Sequence, residues 1–272
     1  MTHDAKGNSK SGPPRAGLAF RCIRFCFRRL AYAYFRLDVR GLQHIPSHGG
    51  VLIAGNHPSV VDGVLLLAVS PRPVRFLVAE DLYNHRYLNA FFKMLGSIPV
   101  YRTKTHNGEA LQAAVSALQR GELLGIFPEG TIHFQGSMRE VKRGVALLAL
   151  KTGLPVVLLA IHGSFEAFPD GAKVPRPRAI QMRFNPPVVY PQTSLDPIPE
   201  AQVTHALEDI RSRILQALQE IVPARPPRLI QQWLKEAQIL AAALIIWPLT
   251  GFFTLTANPS LDPVKQARGG RP

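Results

Sequence analysis

The sequence is poor in cysteine: its 272 residues contain only Cys22 and Cys26. No further cysteine or histidine pair near them completes a zinc site, so we expect neither structural zinc nor a disulfide framework. The chain also lacks the H-E-x-x-H, G-x-S-x-G, Walker and dinucleotide-binding signatures, and it shows no internal repeat. These absences argue against zinc proteases, hydrolases with a serine nucleophile elbow, P-loop nucleotidases and dinucleotide-dependent dehydrogenases.

Acidic residues are scarce as well, because 18 Asp and Glu stand against 32 Lys and Arg, which gives a net charge of +14. This excess favours anionic partners, namely nucleic acid, a membrane surface or phosphorylated substrates. Nucleic acid is the least supported of these partners, because no recognition motif accompanies the basic residues and the long apolar segments suit lipid better.

The basic residues are concentrated near the N-terminus, where residues 15–37 contain six arginines, no acidic residue and many aromatic and aliphatic residues. On a helix, Arg21, Arg24 and Arg28 form one basic stripe. This pattern predicts an amphipathic helix at an anionic membrane interface. The alternatives are a helix that covers the domain while its arginines snorkel to solvent, and a transit peptide. A cleavable signal peptide is not expected, because arginines interrupt the apolar stretch repeatedly and no small-residue cleavage site follows.

The central part of the chain alternates short β-rich apolar runs with helical patterns, which is typical of an α/β domain. We predict that residues 38–222 form this domain and that residues 1–14 are a disordered polar tail. The predicted strands are 51–54, 74–78, 97–100, 123–127, 155–161 and 180–184, and the predicted helices are 58–69, 81–94, 108–120, 140–152 and 203–221.

Beyond the predicted domain, residues 223–236 are interpreted as a linker and a helix start, because the prolines of VPARPPR cannot propagate a helix. Residues 237–257 then run for 21 residues without a charge, just long enough to cross a hydrocarbon core of about 30 Å. We predict an apolar helical segment that either enters the membrane or lies at its interface or against protein. Residues 258–272 form a tail.

The stretch GNHPSVVDG at 55–63 contains the first catalytic candidates, His57 and Asp62. Residues five apart on a straight helix point about 140° apart and do not meet. Pro58 disfavours the α region at His57 and suits a first helical position, so His57 precedes the helix and Asp62 lies in its early turns. The carboxylate can then hold one imidazole nitrogen while the other faces a cleft as a general base. A capping interaction explains the spacing equally well.

Four cations are candidates for binding an anion. Arg102 ends the strand in GSIPVYR, and open α/β sheets bind ligands at the carboxyl ends of their strands, so its guanidinium is a candidate ligand for a phosphate or carboxylate. Arg139, Lys142 and Arg143 lie within five residues of one another near a helix start. They are either a solvated face or a site for an anionic head group.

The stretch FPEGT at 127–131 follows a predicted strand and contains three further candidates. Gly130 permits a positive φ or a close backbone approach, Glu129 can accept a hydrogen bond from a glycerol-like hydroxyl, and Thr131 can donate locally. A plain β-turn accounts for the same residues. The sequence therefore leaves a binding loop and a simple turn as alternatives here.

Four blocks in order, NHPSVVD at 56–62, GSIPVYR at 96–102, FPEGT at 127–131 and LPVVLLAIHG at 154–163, carry a resemblance to the glycerolipid acyltransferase family. This family comprises the lysophosphatidic acid acyltransferases and their lysophospholipid relatives, and the chain resembles it over residues 38–190. The resemblance implies a single α/β acyltransferase domain with a mixed central sheet flanked by helices. The N-terminal basic helix and the C-terminal apolar segment are additions to that domain.

The resemblance also implies a reaction, the transfer of a fatty acyl group from acyl-CoA or acyl-carrier protein to the hydroxyl of a lysolipid. By this resemblance His57 is the general base, Asp62 orients it, and Arg102 with the Glu129–Thr131 block positions the acceptor. The expected acceptor is 1-acylglycerol-3-phosphate or a lysophospholipid, and the expected location is the cytoplasmic face of the inner membrane. Attack on the thioester is direct, so no acyl-enzyme, metal ion or cofactor is expected.

At one position the chain departs from the family pattern. FPEGT commonly continues with an arginine that is taken as a phosphate ligand, whereas Ile132 follows here. Either Arg102 or the three downstream cations replace the missing charge, or the acceptor is a lysophospholipid or a lyso-aminolipid, such as lyso-ornithine lipid, that is bound differently. His133 is interpreted as an exposed loop residue rather than a ligand or second base. The alternative of another class is a non-catalytic lipid-binding protein that keeps the fold.

Overall fold

The computed structural model describes residues 18–101, 107–132 and 138–221. Within these ranges seven strands form one central sheet. The strands are β1 (Asp38–Arg40), β2 (Val51–Gly55), β3 (Val74–Ala79), β4 (Ile98–Val100), β5 (Leu123–Ile126), β6 (Val156–His162) and β7 (Gln181–Phe184).

The strand order is β1-β7-β6-β2-β5-β3-β4. All neighbours are parallel except β6 and β7, so the sheet is mixed, as predicted. The central strand β2 pairs with β5 on one side and β6 on the other, and every one of its residues is buried. A strand covered on both faces needs a continuous apolar sequence, and VLIAG provides one.

Helices cover both faces of the sheet. Successive strand residues point to opposite faces, and accordingly Val51 and Ile53 belong to one hydrophobic cluster and Leu52 and Ala54 to the other. We call these clusters the first and the second core. The first core receives residues from α1 (Leu18–Phe35), α2 (Val61–Val69), α3 (Glu80–Tyr83), α4 (Asn89–Met94) and α7 (Ser164–Ala167), and the second core from α5 (Asn107–Gln119), α6 (Gly144–Thr152) and α8 (Glu200–Gln219).

The six predicted strands are confirmed to within about one residue at each end, whereas β1 was not predicted because it is only three residues long and partly polar. The prediction of one helix over 81–94 is wrong, since residues 84–88 separate two short helices. The side chain of Asn89 donates to the carbonyl of Tyr83 over 2.9 Å and so satisfies the end of α3. The helices predicted at 58–69 and 140–152 begin later, at Val61 and Gly144.

The described part of the predicted N-terminal segment is helical and packs on the domain with its C-terminal half. Tyr34 and Phe35 are buried in the first core, and the Tyr34 hydroxyl donates to the carbonyl of Pro175 over 2.6 Å. Burial raises the pKa of Tyr34. Phe25, in contrast, is 59% exposed, and Arg29 stacks over its ring at 5.3 Å. The helix therefore covers the domain at one end and exposes basic and aromatic side chains at the other.

The structural predictions for residues 1–14, 223–236, 237–257 and 258–272 lie outside the described residues. Among the helices that are described, none combines the length and apolar character needed to cross a bilayer.

Arg72 holds together the edge of the sheet at which β2, β3 and β5 begin. Its guanidinium donates to the carbonyls of Pro46, Gly49 and Gly121 over 2.9, 2.9 and 2.6 Å. Burial lowers the pKa of Arg72. The loops before β2 and β5 thus share the Arg72 guanidinium as their common hydrogen-bond donor.

Candidate active site

The candidate site begins where the central strand β2 ends. The side chain of Asn56 exchanges two hydrogen bonds with the backbone of Ile161 in β6: its Nδ2 donates over 2.9 Å, and its Oδ1 accepts over 2.8 Å. This amide pair continues the β2–β6 ladder beyond Gly55 and fixes the point at which the chain leaves the sheet. The sequence analysis gave Asn56 no role, and its only signal was its position directly before His57.

His57 and Asp62 meet as the sequence predicted. The Nδ1 of His57 lies 2.9 Å from Oδ2 of Asp62. Asp62 is completely buried, and the same Oδ2 accepts from the backbone N–H of Ser59 over 2.7 Å. A buried carboxylate can only accept, so the Nδ1 that faces it carries a proton and Nε2 is left as the acceptor. The His57 side chain is 18% exposed, which leaves it within reach of a substrate.

The two explanations of the five-residue spacing, a contact with the imidazole and a capping interaction, are therefore both present in the same carboxylate. Asp62 holds a backbone N–H at the start of α2, as a capping residue does, and it holds the imidazole as well. α2 begins at Val61 rather than at Pro58, so residues 58–60 form the turn that brings the two side chains together.

Glu129 holds the backbone on both sides of the site. Its Oε1 accepts from the N–H of His57 over 2.9 Å, and its Oε2 accepts from the N–H of Arg139 over 3.0 Å. The residue is 4% exposed. Each Glu129 oxygen thus accepts from one backbone amide, and its predicted contact with an acceptor hydroxyl stays a prediction. Glu129 ties the FPEGT turn to the turn that carries His57 and to the segment that carries the three cations.

Phe127 contacts His57 directly, and the sequence analysis gave it no individual role. The two rings are stacked, with centroids 4.1 Å apart and planes 15° apart. Ile132, the residue that departs from the family pattern, packs against the first core. The chain at this position therefore makes an apolar contact with the domain.

The three downstream cations have different environments. The exposed side chain of Lys142 lies across Gly130, whose φ of 68° only glycine adopts readily, and a Cβ there would collide with the lysine. Arg143 instead forms an exposed ion pair with Glu200 of α8 over 2.6 Å. Arg139 is exposed and reaches the site through its backbone N–H. Lys142 is thus the cation whose side chain contacts the FPEGT turn.

Thr131 is exposed beside Gly130 at the end of the turn. Arg102 lies outside the described residues, as does His133. Across the described ranges, no group of three or more histidine, cysteine or acidic side chains is arranged to hold a metal ion.

A mixed α/β sheet with a histidine–aspartate pair at the end of its central strand fits the domain that the four sequence blocks predicted. Residues 36–162 match the family model described as Acyltransferase. These residues carry an acyltransferase domain, and the named relatives support the glycerolipid acyltransferase family that the four blocks indicated.

Named relatives agree with this family. The 1-acyl-sn-glycerol-3-phosphate acyltransferase of Borreliella burgdorferi is 29% identical over 153 residues, which are 56% of this chain and 61% of that protein. The human 1-acyl-sn-glycerol-3-phosphate acyltransferase alpha is 26% identical over 207 residues, 74% of this chain and 70% of that protein. The chain thus spans less than two thirds of the Borreliella burgdorferi relative.

A solved structure has the same fold. The crystal structure of the 1-acyl-sn-glycerophosphate (LPA) acyltransferase PlsC from Thermotoga maritima matches with a TM-score of 0.60 and 22% sequence identity. The match covers 76% of this chain and 82% of that one. At this identity the likeness establishes the fold.

Proposed function

We propose that this protein is an O-acyltransferase that moves a fatty acyl group from a thioester to the hydroxyl of a lysolipid. The observation that carries the proposal is the His57–Asp62 pair, in which a completely buried carboxylate holds Nδ1 at 2.9 Å and leaves Nε2 as a proton acceptor. A neutral imidazole oriented in this way is a general base for a hydroxyl group. The match of residues 36–162 to the Acyltransferase family model supports the same reaction.

In the proposed reaction, Nε2 of His57 takes the proton of the acceptor hydroxyl as its oxygen attacks the thioester carbonyl carbon. Asp62 stabilises the imidazolium that forms, because its carboxylate faces the protonated Nδ1. When the tetrahedral intermediate collapses, the C–S bond breaks and the thiolate leaves. The imidazolium returns its proton to the thiolate, so the products are an ester and a free thiol, and His57 is neutral again.

We propose 1-acylglycerol-3-phosphate or a lysophospholipid as the acceptor, and the names of the relatives favour the former. Lys142 is the described cation best placed for its phosphate, because its side chain lies on Gly130, next to the residue that holds the His57 backbone. Arg143 forms an ion pair with Glu200, and Arg139 contacts the site through its backbone N–H. We therefore propose that these two arginines attract the phosphate from a distance rather than bind it directly. Thr131 and Arg102 remain proposed acceptor contacts.

The acyl donor is proposed to be acyl-CoA or acyl-carrier protein, and the reaction as written needs no cofactor. An acceptor with a fatty chain resides in a membrane, so we propose that the protein acts at an anionic membrane surface. The exposed end of α1 supports this location, since Phe25 and Arg28 present an apolar and a cationic group on the same helix. The cytoplasmic face of the inner membrane is the proposed site.

A panel of acceptors tests the proposal. The full chain is incubated with radiolabelled acyl-CoA or acyl-carrier protein and vesicles that contain lysophosphatidic acid, a lysophospholipid or lyso-ornithine lipid. We expect diacyl product with wild type and with His48→Ala, an exposed loop histidine, but not with His57→Ala. Binding to anionic vesicles without product from any acceptor would instead support a non-catalytic lipid-binding protein.

A further inference from the structure

The ring of Phe127 covers one face of the His57 imidazole, at a centroid distance of 4.1 Å and an angle of 15° between the planes. The other contacts of His57 restrain different parts of the residue. Asp62 holds the Nδ1 edge, and Glu129 holds the backbone N–H. The hydrogen bond at Nδ1 restrains the ring at one edge. Among these contacts, only the stack covers the face of the ring and opposes its tilting out of plane.

The sheet register explains why Phe127 stands there. Ala54 pairs with Ile126, so Phe127 follows β5 beside Gly55 of β2. Phe127 packs against the first core, the layer that also contains α2. A Cβ added at Gly63 of α2 would lie 3.8 Å from Cε2 of Phe127, so α2 passes beside the ring. The aromatic ring is therefore supported by the domain, and its position is set by the sheet and α2.

We infer that Phe127 is a positioning residue for the proposed base: its ring holds the imidazole plane so that Nε2 points at the acceptor hydroxyl. The same ring stabilises the imidazolium formed during proton transfer, because the face of an aromatic ring attracts a cation. The stack thus favours the charged intermediate over the neutral resting state. This inference rests on the proposed acyl transfer, since the role of Phe127 is defined by the reaction of His57.

Substitutions that keep or remove the stack test this role. Phe127→Leu keeps an apolar side chain but removes the ring, and we expect kcat to fall about 10- to 30-fold with little change in the KM of the acceptor. Phe127→Tyr keeps the ring and should retain kcat within about threefold of wild type. Phe92→Leu is the matched control, because Phe92 belongs to the same core but stacks on Tyr83 rather than on His57.

The outcomes separate this inference from the proposed function. If wild type transfers no acyl group to any acceptor, the proposed function fails and the role of Phe127 falls with it. If the wild-type protein is active, two results would show that the positioning role alone is wrong. One is a kcat of Phe127→Leu equal to that of the control Phe92→Leu, and the other is a folded Phe127→Tyr variant that has lost its activity.

A second measurement does not depend on the Phe127 variants. In NMR spectra, the ring protons of His57, assigned by their loss in His57→Gln, should be shifted upfield by the ring current of Phe127. Ring protons at the ordinary histidine position would overturn the inference, whether or not the leucine variant folds.

Discussion

The Glu129→Gln substitution tests how the site is held together. In the wild-type protein, the two carboxylate oxygens accept from the N–H groups of His57 and Arg139 over 2.9 and 3.0 Å. A carboxamide has only one oxygen, so in the variant one of these N–H groups faces an NH₂ group and loses its acceptor. At 4% exposure, little water is available to replace the lost acceptor.

The expected cost follows from these contacts. A hydrogen bond to a charged group contributes about 1.5–3 kcal/mol, and a buried group without a partner costs about 1–3 kcal/mol. Because the variant keeps one of the two bonds, we expect the free energy of unfolding to fall by about 2–4 kcal/mol. Against a typical total stability of about 5–15 kcal/mol, this loss leaves a positive free energy of unfolding, so the protein should still fold. The kcat should fall by about 10²-fold, because the backbone of the base is no longer fixed.

Urea unfolding followed by circular dichroism measures the stability, and acyl transfer under the same conditions measures kcat. Glu140→Gln is the control, because Glu140 is an exposed carboxylate in the same segment. If Glu129→Gln had the same unfolding midpoint and the same kcat as the control Glu140→Gln, the reasoning that Glu129 positions His57 would be refuted.

Four further substitutions have defined outcomes. Asp62→Asn keeps the shape of the side chain but removes the charge that faces the imidazolium, so kcat measured by thiol release should fall about 10³-fold or more while the melting temperature changes little. Lys142→Ala should raise the KM for lysophosphatidic acid about tenfold and leave the KM for monoacylglycerol unchanged, whereas Arg143→Ala should alter neither. Arg72→Lys keeps the charge but not the fork that reaches three carbonyls, so urea unfolding should show a loss of about 1–3 kcal/mol. Burial and a hydrogen bond to Asp209 raise the pKa of Tyr190. Above about pH 10 the tyrosine therefore loses its proton in the unfolded state before it does so in the folded state, and the melting temperature falls as the pH rises. Tyr190→Phe should make this fall in melting temperature smaller.

The local parts of the fold could be predicted from the sequence. The strands around Val51 and Leu123 are short apolar runs, and their neighbours show helical periodicity, so the α/β class follows from patterns within about ten residues. The contact between His57 and Asp62 was also predictable, because Pro58 separates the histidine from the helix that carries the aspartate. In each case the interacting residues lie close together in the chain.

The remaining features of the site depend on strand order, which the sequence does not reveal. Glu129 reaches the backbone of His57 across 72 residues, and Asn56 reaches Ile161 across 105, because β5 and β6 both flank β2. The stacking of Phe127 has the same origin. The break between α3 and α4 was missed because it depends on a side-chain hydrogen bond from Asn89 and not on a proline or glycine.

The central claim, that His57 is the base in a direct acyl transfer, is tested most directly by single-turnover kinetics. The full chain, as wild type or as His57→Gln, is mixed with radiolabelled acyl thioester and lysophosphatidic acid vesicles, and diacyl product is measured at matched amounts of folded protein. Because a general base contributes about 10²–10⁴-fold, we expect the rate constant of the variant to fall by at least about 10²-fold, with no labelled protein at any time. A variant that forms product within about threefold of the wild-type rate, or a labelled acyl-protein that forms and decays as product appears, would contradict the account.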